Sequence, residues 1–106
     1  MAISKQEFHD AVLYILGQIP KGKVTTYGKI AKMAGFPSHA RYVGKLLSQL
    51  PQDSKLPWYR VINGQGRISF SEDSERYITQ KSLLEQEGIS FLNGKVNLKI
   101  HQWCPE

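Results

Sequence analysis

Residues 26–50 read TYGKIAKMAGFPSHARYVGKLLSQL, a segment with the signals of two short helices and a turn between them. One of the two threonines before Tyr27 can cap a short helix, which Gly35 ends. A second helix is predicted with Ser38 as its N-cap and an end at about Leu50, before a proline. Two short helices joined by a tight turn are typical of a helix-turn-helix. The stretch therefore predicts that motif over about 26–50.

The second of these helices has two different faces. At about 100° per residue, its apolar side chains form one stripe: Val43, Leu47 and Leu50. Its basic and polar side chains lie on the opposite side: Arg41, Lys45 and Ser48. Ala40 and Gly44 are small, so the helix can pack close to a neighbour. One face is thus predicted to bury in the core and the other to meet a partner.

Capping and turn signals predict elements on both sides of this motif. Ser4 and Glu7 have the spacing of a capping box at the start of a first helix, which Pro20 ends. Asn63-Gly64 is a strong signal for a β-hairpin, predicted over about 61–70. A hairpin beside a helix-turn-helix is the wing of a winged helix.

The last third of the chain is predicted to hold one more helix and a second hairpin. A polar, acidic entry at 71–74 leads into a helix that runs to Glu87, with a glycine at the C′ position after it. Asn93-Gly94 joins two strands, the second of which ends near Ile100. The predicted fold class is α+β, mostly α: a winged helix-turn-helix with short β-hairpins in a single domain, 1–106.

Basic side chains are concentrated in the first part of the chain. Fourteen Lys and Arg against nine Asp and Glu give a net charge of +5. Residues 1–62 hold nine basic and three acidic side chains, a net of +6, whereas 63–106 have a net of −1. Within 21–60 there are eight basic residues and one acid, Asp53. A one-sided block of this density favours a polyanionic partner, with nucleic acid ahead of a membrane surface.

Several classes of protein do not fit this composition. With 41% hydrophobic and 22% charged residues, the chain has ordinary globular values. No apolar run approaches the roughly 20 residues that span a bilayer, and the first residues lack the pattern of a signal peptide. A single cysteine, Cys104, rules out a disulfide within the chain and favours the cytoplasm. His9, His39 and His101 lack metal-ligand spacing, so no metal or cofactor is expected.

Three motifs, in this order and at matching separations, resemble the C-terminal domain of the O6-alkylguanine-DNA alkyltransferases. They are TTYGKIA at 25–31, ARYVG at 40–44 and PWYRV at 57–61. The enzymes carry a reactive cysteine in a Pro-Cys-His-Arg-Val motif, whereas here Trp58 and Tyr59 take the cysteine and histidine positions. This exchange is similar to that of the alkyltransferase-like proteins, which keep the fold and lack the nucleophile. The resemblance covers about residues 5–100.

The residues that alkyl transfer needs are only partly present. The reaction requires a thiolate activated by a neighbouring base. In the enzymes a histidine relays the proton towards a glutamate, and Glu87 matches that glutamate. An indole at Trp58 accepts no alkyl group at a useful rate, and Tyr59, with an ordinary pKa of about 10, is a poor base. Since Cys104 lies outside the motif, the resemblance implies a protein that is not an enzyme.

The resemblance also implies which residues bind DNA. The family docks its helix-turn-helix in the minor groove, where small side chains allow close approach. The residue matching Tyr27 presses on the phosphate of the target nucleotide, and the one matching Arg41 fills the space that the rotated base leaves. The predicted DNA-contacting set is Tyr27, Ser38, Ala40, Arg41, Gly44 and Lys45. The predicted lesion pocket is Trp58, Tyr59, Arg60 and Arg67.

Some of these roles have alternatives. Trp58 either contacts the alkylated base by stacking and apolar burial or packs in the core. Arg60 is either a DNA contact or the donor of a structural ion pair. The enzymes have a Gly-rich binding loop after the hairpin, whereas residues 69–73 are acidic here. Arg67 and Arg76 flank that loop, and either of them is a candidate to face the lesion.

The function predicted from the sequence is a non-enzymatic DNA-damage sensor. It binds duplex DNA containing O6-alkylguanine, rotates the base out, blocks alkyltransferases and hands the lesion to nucleotide excision repair proteins. It is expected to be a monomer on the nucleoid in the cytoplasm. One alternative is a transcription regulator, although Arg41 and Gln49 are the only side chains of the second helix suited to bidentate base contacts. The others are an alkyltransferase that uses Cys104 and a protein-interaction module that binds no DNA.

Overall fold

The computed structural model describes residues 4–51 and 53–105. This part of the chain holds helices α1 Lys5–Gln18, α2 Tyr27–Met33, α3 Ala40–Ser48, α4 Glu75–Gln86 and α5 Leu98–His101. Its strands are β1 Thr25–Thr26, β2 Val61–Ile62, β3 Phe91–Leu92 and β4 Lys95–Val96, and a 3-10 turn spans Trp58–Arg60. Helices with a few two-residue strands confirm the α+β, mostly α prediction.

The first helix begins as its capping box predicts. Ser4 Oγ accepts a hydrogen bond from the Glu7 amide at 3.1 Å, and the Glu7 carboxylate accepts one from the Ser4 amide at 3.2 Å. Both bonds satisfy amides that have no partner inside the helix. The helix ends at Gln18, two residues before Pro20. It buries three side chains on one face: Phe8, Val12 and Leu16.

The helix-turn-helix is present, but Ser38 does not cap its second helix. Thr26 Oγ1 accepts from the Lys29 amide at the start of α2, as predicted. The amide of His39 donates to the carbonyl of Phe36 at 3.0 Å, so Ser38 lies inside a closed turn. Its side chain is exposed and pairs with the His39 ring at 3.2 Å. The prediction of Ser38 as the cap is therefore wrong, and α3 begins at Ala40 and ends at Ser48, short of Leu50.

The predicted wing is a compact loop and not a β-hairpin. Strand β2 pairs in parallel with β1, with Thr25 opposite Val61, and no strand follows it at 68–70 in the described chain. The side chain of Asn63 accepts from the amides of Gln65 and Arg67, at 2.9 and 3.0 Å. An asparagine that bonds to the backbone just beyond it closes an Asx turn. This local turn replaces the strand pairing that the Asn-Gly signal predicts.

The loop after β2 is tied to the second hairpin at Gly66. This glycine has φ +83°, and its carbonyl accepts from the Val96 amide at 2.9 Å. A Cβ added there lies 2.7 Å from the Val96 carbonyl oxygen, which is too close for any real contact. At Gly64, in the same loop, an added Cβ meets nothing within 4 Å.

We therefore expect Gly66→Ala to destabilise the fold by about 2 kcal/mol, from the left-handed backbone and the clash together. Urea unfolding of the variant beside Gly64→Ala measures the difference. Gly64→Ala is the matched control, and its midpoint is expected to stay close to that of the parent protein. Equal midpoints for the two variants would contradict the tie between the loop and β4.

The late helix and the second hairpin confirm most of their prediction. Ser74 Oγ accepts from the Tyr77 amide at the start of α4, and Gly88 follows the helix with φ +88°. Asn93 and Gly94 both have positive φ, as a two-residue type I′ turn requires. The strand predicted to end near Ile100 is wrong beyond Val96. Asn97 accepts from the Lys99 amide and caps α5 there, so the chain becomes helical.

Two hydrophobic clusters hold these elements together. The first packs α1, α2 and α3 against β2, and its buried members include Val12, Leu16, Ile30, Val43 and Val61. The second packs α4 against the second hairpin: Val24, Ile62, Ile68, Leu84, Ile89 and Val96. Gln80, which is fully buried on α4, donates to the carbonyls of Tyr59 and Val61. The PWYRV segment is thereby positioned between the clusters.

None of the described helices is long and apolar enough to cross a membrane.

Candidate nucleic-acid interface

An open groove runs between α2, α3 and the loop after β2. It has a volume of about 570 Å³. Its lining is Tyr27, Ala40, Arg41, Gly44, Lys45, Ser48, Ser69 and Phe70. Five of the six side chains predicted to contact DNA therefore meet in one place. Ser38 is not among the lining residues and lies exposed in the turn before α3.

The outer edge of the groove is positively charged. Arg41 and Lys45 stand one turn apart on α3, and both are exposed. Within the described residues, neither forms an ion pair. The ring of Tyr27 lies 3.7 Å from where a Cβ on Gly44 would stand, so α2 and α3 approach closely at this glycine. A groove with two free cations on its rim is suited to a phosphate backbone.

Tyr27 is a neutral hydroxyl inside this groove. Its hydroxyl is 2.8 Å from Ser69 Oγ, which joins α2 to the loop after β2. Burial raises the pKa of Tyr27 above its ordinary value, and the opposing effects of the Ser69 bond and the Arg76 charge are smaller. The phenol is therefore protonated at neutral pH. An uncharged hydroxyl can donate to a phosphate oxygen without electrostatic repulsion.

Trp58 is buried behind the groove. It is 3% exposed and makes edge-to-face contacts with the rings of Tyr59 and Phe70, at centroid distances of 5.9 and 6.3 Å. Phe70 also lines the groove, so it forms the wall between the groove and the indole. The side chain in the position of the enzymes' cysteine is thus an aromatic surface one residue removed from the basic groove.

The structure distinguishes between the two arginines that flank the acidic loop. The guanidinium of Arg76 lies 4.4 Å from the centroid of the Trp58 ring and 5.5 Å from that of Phe70. Arg67 instead lies at the second hairpin, with Nη1 2.9 Å from where a Cβ on Gly94 would stand. It lines a separate depression and is not brought together with the other predicted pocket residues. Nothing in the sequence distinguishes the roles of Arg67 and Arg76, since each is a single arginine beside the same loop.

Arg60 and Tyr59 converge on Glu87. Arg60 Nε donates to Glu87 Oε1 at 3.0 Å, and its Nη2 forms an ion pair with Oε2. Its Nη1 donates to the carbonyl of Ile19 at 2.8 Å. Tyr59 Oη donates to Glu87 Oε2 at 3.0 Å, and the Gly22 amide donates to Oε1. The geometry favours Arg60 as the donor of a structural ion pair over Arg60 as a DNA contact, because its guanidinium is engaged within the protein.

This network sets the protonation states of its members. Burial would raise the pKa of Glu87, but the hydrogen bonds from Arg60, Gly22 and Tyr59 outweigh it and lower the pKa. Burial and the bond to Glu87 raise the pKa of Tyr59. Tyr59 is consequently a hydrogen-bond donor at neutral pH and not a base. No group of three or more His, Cys, Asp or Glu in the described residues could hold a metal.

Comparison with known proteins identifies the family. The family model of the 6-O-methylguanine DNA methyltransferase DNA-binding domain matches residues 7–89. A DNA base-flipping protein of Vibrio parahaemolyticus is 52% identical over 101 residues, which cover 93% of this chain and 98% of that protein. Alkyltransferase-like protein 1 of Schizosaccharomyces pombe is 40% identical over 104 residues, covering 93% and 96%. The chain belongs to the alkyltransferase-like proteins.

Solved structures agree with this assignment. The S. pombe alkyltransferase-like protein Atl1, in complex with damaged DNA containing O6-carboxymethylguanine, matches with a TM-score of 0.89 and 39% identity. The match covers 97% of this chain and all of that one. Mycobacterium tuberculosis OGT in complex with DNA matches with a TM-score of 0.67 and 31% identity, over 82% of this chain and 51% of the OGT chain. This alkyltransferase-like protein thus has the fold of Atl1 over almost all of the chain and matches about half of the OGT chain.

Proposed function

We propose that this protein is a non-enzymatic sensor of DNA damage. It binds duplex DNA containing O6-alkylguanine in the groove between α2 and α3 and rotates the damaged base out of the helix. The observation that carries the proposal is that the groove gathers Tyr27, Arg41 and Lys45 next to a buried indole in the cysteine position. The S. pombe relative bound to O6-carboxymethylguanine DNA supports the choice of ligand.

The groove assigns separate tasks to its residues. Arg41, exposed in the first turn of α3, enters the duplex and fills the space that the base leaves. Tyr27 presses on the phosphate of the same nucleotide, and its uncharged hydroxyl donates to it. Lys45, one turn further along α3, neutralises a neighbouring phosphate. Base rotation costs a few kcal/mol and less for a damaged, poorly paired base, which favours lesions over normal pairs.

Trp58 provides an aromatic surface for the rotated base and its alkyl group. Stacking on an aromatic ring tolerates any base, and burial of the alkyl group adds an apolar gain that normal guanine does not have. Tyr59 and Arg60, held by Glu87, position this part of the pocket from behind. A sensor of this kind accepts different alkyl groups, because none of its contacts reads a single one.

We propose that the protein performs no alkyl transfer. The position of the nucleophile is an indole, and the glutamate of the relay is engaged by Arg60 and Tyr59. Cys104 lines a different groove, together with Lys29, Met33 and Trp103. A thiol there is not adjacent to the base-binding groove, which argues against the alkyltransferase alternative.

Restoring the thiol alone is expected not to restore chemistry. In Trp58→Cys, the neighbouring Tyr59 still donates its proton to Glu87, so the new thiol has no base to activate it. Incubation with a duplex carrying labelled O6-methylguanine, followed by mass spectrometry of the protein, measures the transfer. An active alkyltransferase on the same duplex is the positive control. A methylated cysteine at position 58, formed at the rate of that control, would contradict the prediction.

A binding titration tests the proposed function directly. One duplex carries a single O6-methylguanine and its partner carries guanine, with 2-aminopurine beside the central base to report unstacking. We expect tighter binding and stronger 2-aminopurine fluorescence with the lesion, and complete retention of the methyl group. Equal binding without a fluorescence change would refute the lesion reading and favour the transcription regulator. An absence of salt-dependent binding to either duplex would favour the protein-interaction module.

We also propose consequences of binding beyond the groove. A base held against Trp58 is out of reach of a second protein, so the complex blocks alkyltransferases. The complex also passes the lesion to nucleotide excision repair proteins. One groove holds the contacting side chains, which is consistent with a monomer. The DNA partner and the lone cysteine favour the cytoplasm, on the nucleoid. Protection of O6-methylguanine from an added alkyltransferase tests the blocking step.

A further inference from the structure

The face of Trp58 that a rotated base needs is already occupied. The guanidinium of Arg76 lies 4.4 Å from the centre of the indole, at the distance of a stacked aromatic group. Its Nη2 donates to the carbonyl of Leu50 at 2.7 Å and approaches that of Leu47 at 3.4 Å. Leu47 lies in the last turn of α3, and Leu50 lies two residues beyond the end of that helix. Arg76 thus links α4, the C-terminal end of α3 and the indole.

We infer that Arg76 is a gate on the lesion pocket: its guanidinium covers Trp58 in the free protein, and a rotated base enters by displacing it. The inference rests on the proposed function, in which Trp58 receives the base. A guanidinium is planar and stacks on aromatic rings as a base does. The two therefore compete for one surface.

The guanidinium of Arg76 is not fully hydrogen-bonded where it covers Trp58. Arg76 Nε is buried and has no hydrogen-bond partner among the described residues. An unsatisfied buried donor offsets part of the gain from stacking, so displacement is less costly than for a fully bonded arginine. Displacement also leaves the guanidinium close to the groove, where its charge meets an anionic ligand. Arg76 is therefore suited to move when DNA is bound, unlike Arg60, whose three donor nitrogens are all engaged.

The gate sets a threshold for base rotation. Displacing Arg76 costs the same for every base, so it leaves the ratio of the rotated-state affinities unchanged. It lowers the equilibrium constant for rotation by the same factor for every base. For a damaged base, which is poorly paired, the rotated state remains the dominant one. For normal guanine the added free-energy cost keeps the population of the rotated state below that of the stacked state. The protein then leaves that site.

Two variants of α4 separate the effect of uncovering Trp58 from the effect of losing a positive charge. Arg76→Ala removes the guanidinium from Trp58. Lys81→Ala is the matched control, because Lys81 is on the same helix and lies over another ring, that of Phe91, at 5.7 Å. Both variants lose one positive charge. In a Trp103→Phe background, Trp58 is the single tryptophan of the chain and its fluorescence reports on the gate alone.

The first measurement uses no DNA. Acrylamide quenching of Trp58 is expected to rise several-fold in Arg76→Ala and to stay unchanged in Lys81→Ala. Arg76→Lys, which keeps the charge and lacks the planar group, is expected to fall between them. It also serves if Arg76→Ala does not fold, as circular dichroism would show. Unchanged quenching in folded Arg76→Ala or Arg76→Lys would overturn the gate, since the indole would then be covered by something else.

The second measurement uses the 2-aminopurine duplexes. At saturation, Arg76→Ala is expected to rotate normal guanine about tenfold more than Lys81→Ala does, a change equivalent to about 1.4 kcal/mol. With O6-methylguanine the signal stays high in both. A high lesion signal with no gain on guanine would overturn the gate and leave the proposed function intact. No rotation of the lesion by the parent protein would overturn both, and the quenching result would still show whether Arg76 covers Trp58.

Discussion

Arg41→Ala is expected to lower the affinity for an O6-methylguanine duplex about 100-fold. A buried arginine at the centre of an interface is a typical hot spot, and its loss costs about 2–4 kcal/mol. In the free protein Arg41 is exposed and forms no ion pair within the described residues, so its removal leaves the fold intact. Fluorescence anisotropy at fixed salt measures the affinity, and a thermal melt confirms that the variant is folded.

Lys45→Ala is the matched control for Arg41, because Lys45 lies one turn away on the same face of α3 and is also exposed. Its proposed contribution is a phosphate contact, so we expect a loss of only a few-fold on damaged and undamaged DNA alike. The slope of log affinity against log salt should also fall by about one unit. Equal losses in the two variants would show that Arg41 acts as a simple charge, and insertion into the duplex would be contradicted.

Glu87→Ala is expected to destabilise the fold by about 3 kcal/mol. The Arg60–Glu87 pair is largely buried, with 14% and 8% of the two side chains exposed. Removing the carboxylate leaves a buried guanidinium without its counter-charge and frees the hydroxyl of Tyr59, and breaking a buried pair costs about 3–5 kcal/mol. Urea unfolding at pH 7 measures the loss. Glu85→Ala, an exposed glutamate on α4, is the matched control and should stay close to the parent protein.

The same pair predicts how stability depends on pH. Because the folded protein lowers the pKa of Glu87, this group binds fewer protons in the folded than in the unfolded state. Its stabilising contribution is complete above the unfolded value of about 4.5 and is lost as the pH falls through the lower folded value. Glu87→Gln, which cannot titrate, should show a flatter decline of stability in this acid range. A parallel decline in the two proteins would contradict the lowered pKa.

Elements whose signals are local were predicted correctly from the sequence. The capping box at Ser4, the threonine cap of α2 and the Asn93-Gly94 turn each depend on a few adjacent residues. The Ser38 cap and the strand beyond Val96 failed because another local turn or cap formed there, whereas the wing also met a distant partner. The Asn63 side chain closes a turn with the backbone just beyond it, and β2 pairs with β1. The predicted wing is therefore a loop.

The family and the residue types at the site follow from the sequence alone. Three ordered motifs identify the fold, and Trp58 in place of a cysteine removes the nucleophile, since the identity of a side chain sets its chemistry wherever it lies. The role of each arginine, in contrast, follows only from the folded structure. Arg60 pairs with Glu87, Arg67 lies at the second hairpin and Arg76 covers the indole. The physical reason is that an arginine's role depends on the acceptors and rings that folding brings within a few ångströms, and those come from distant parts of the chain.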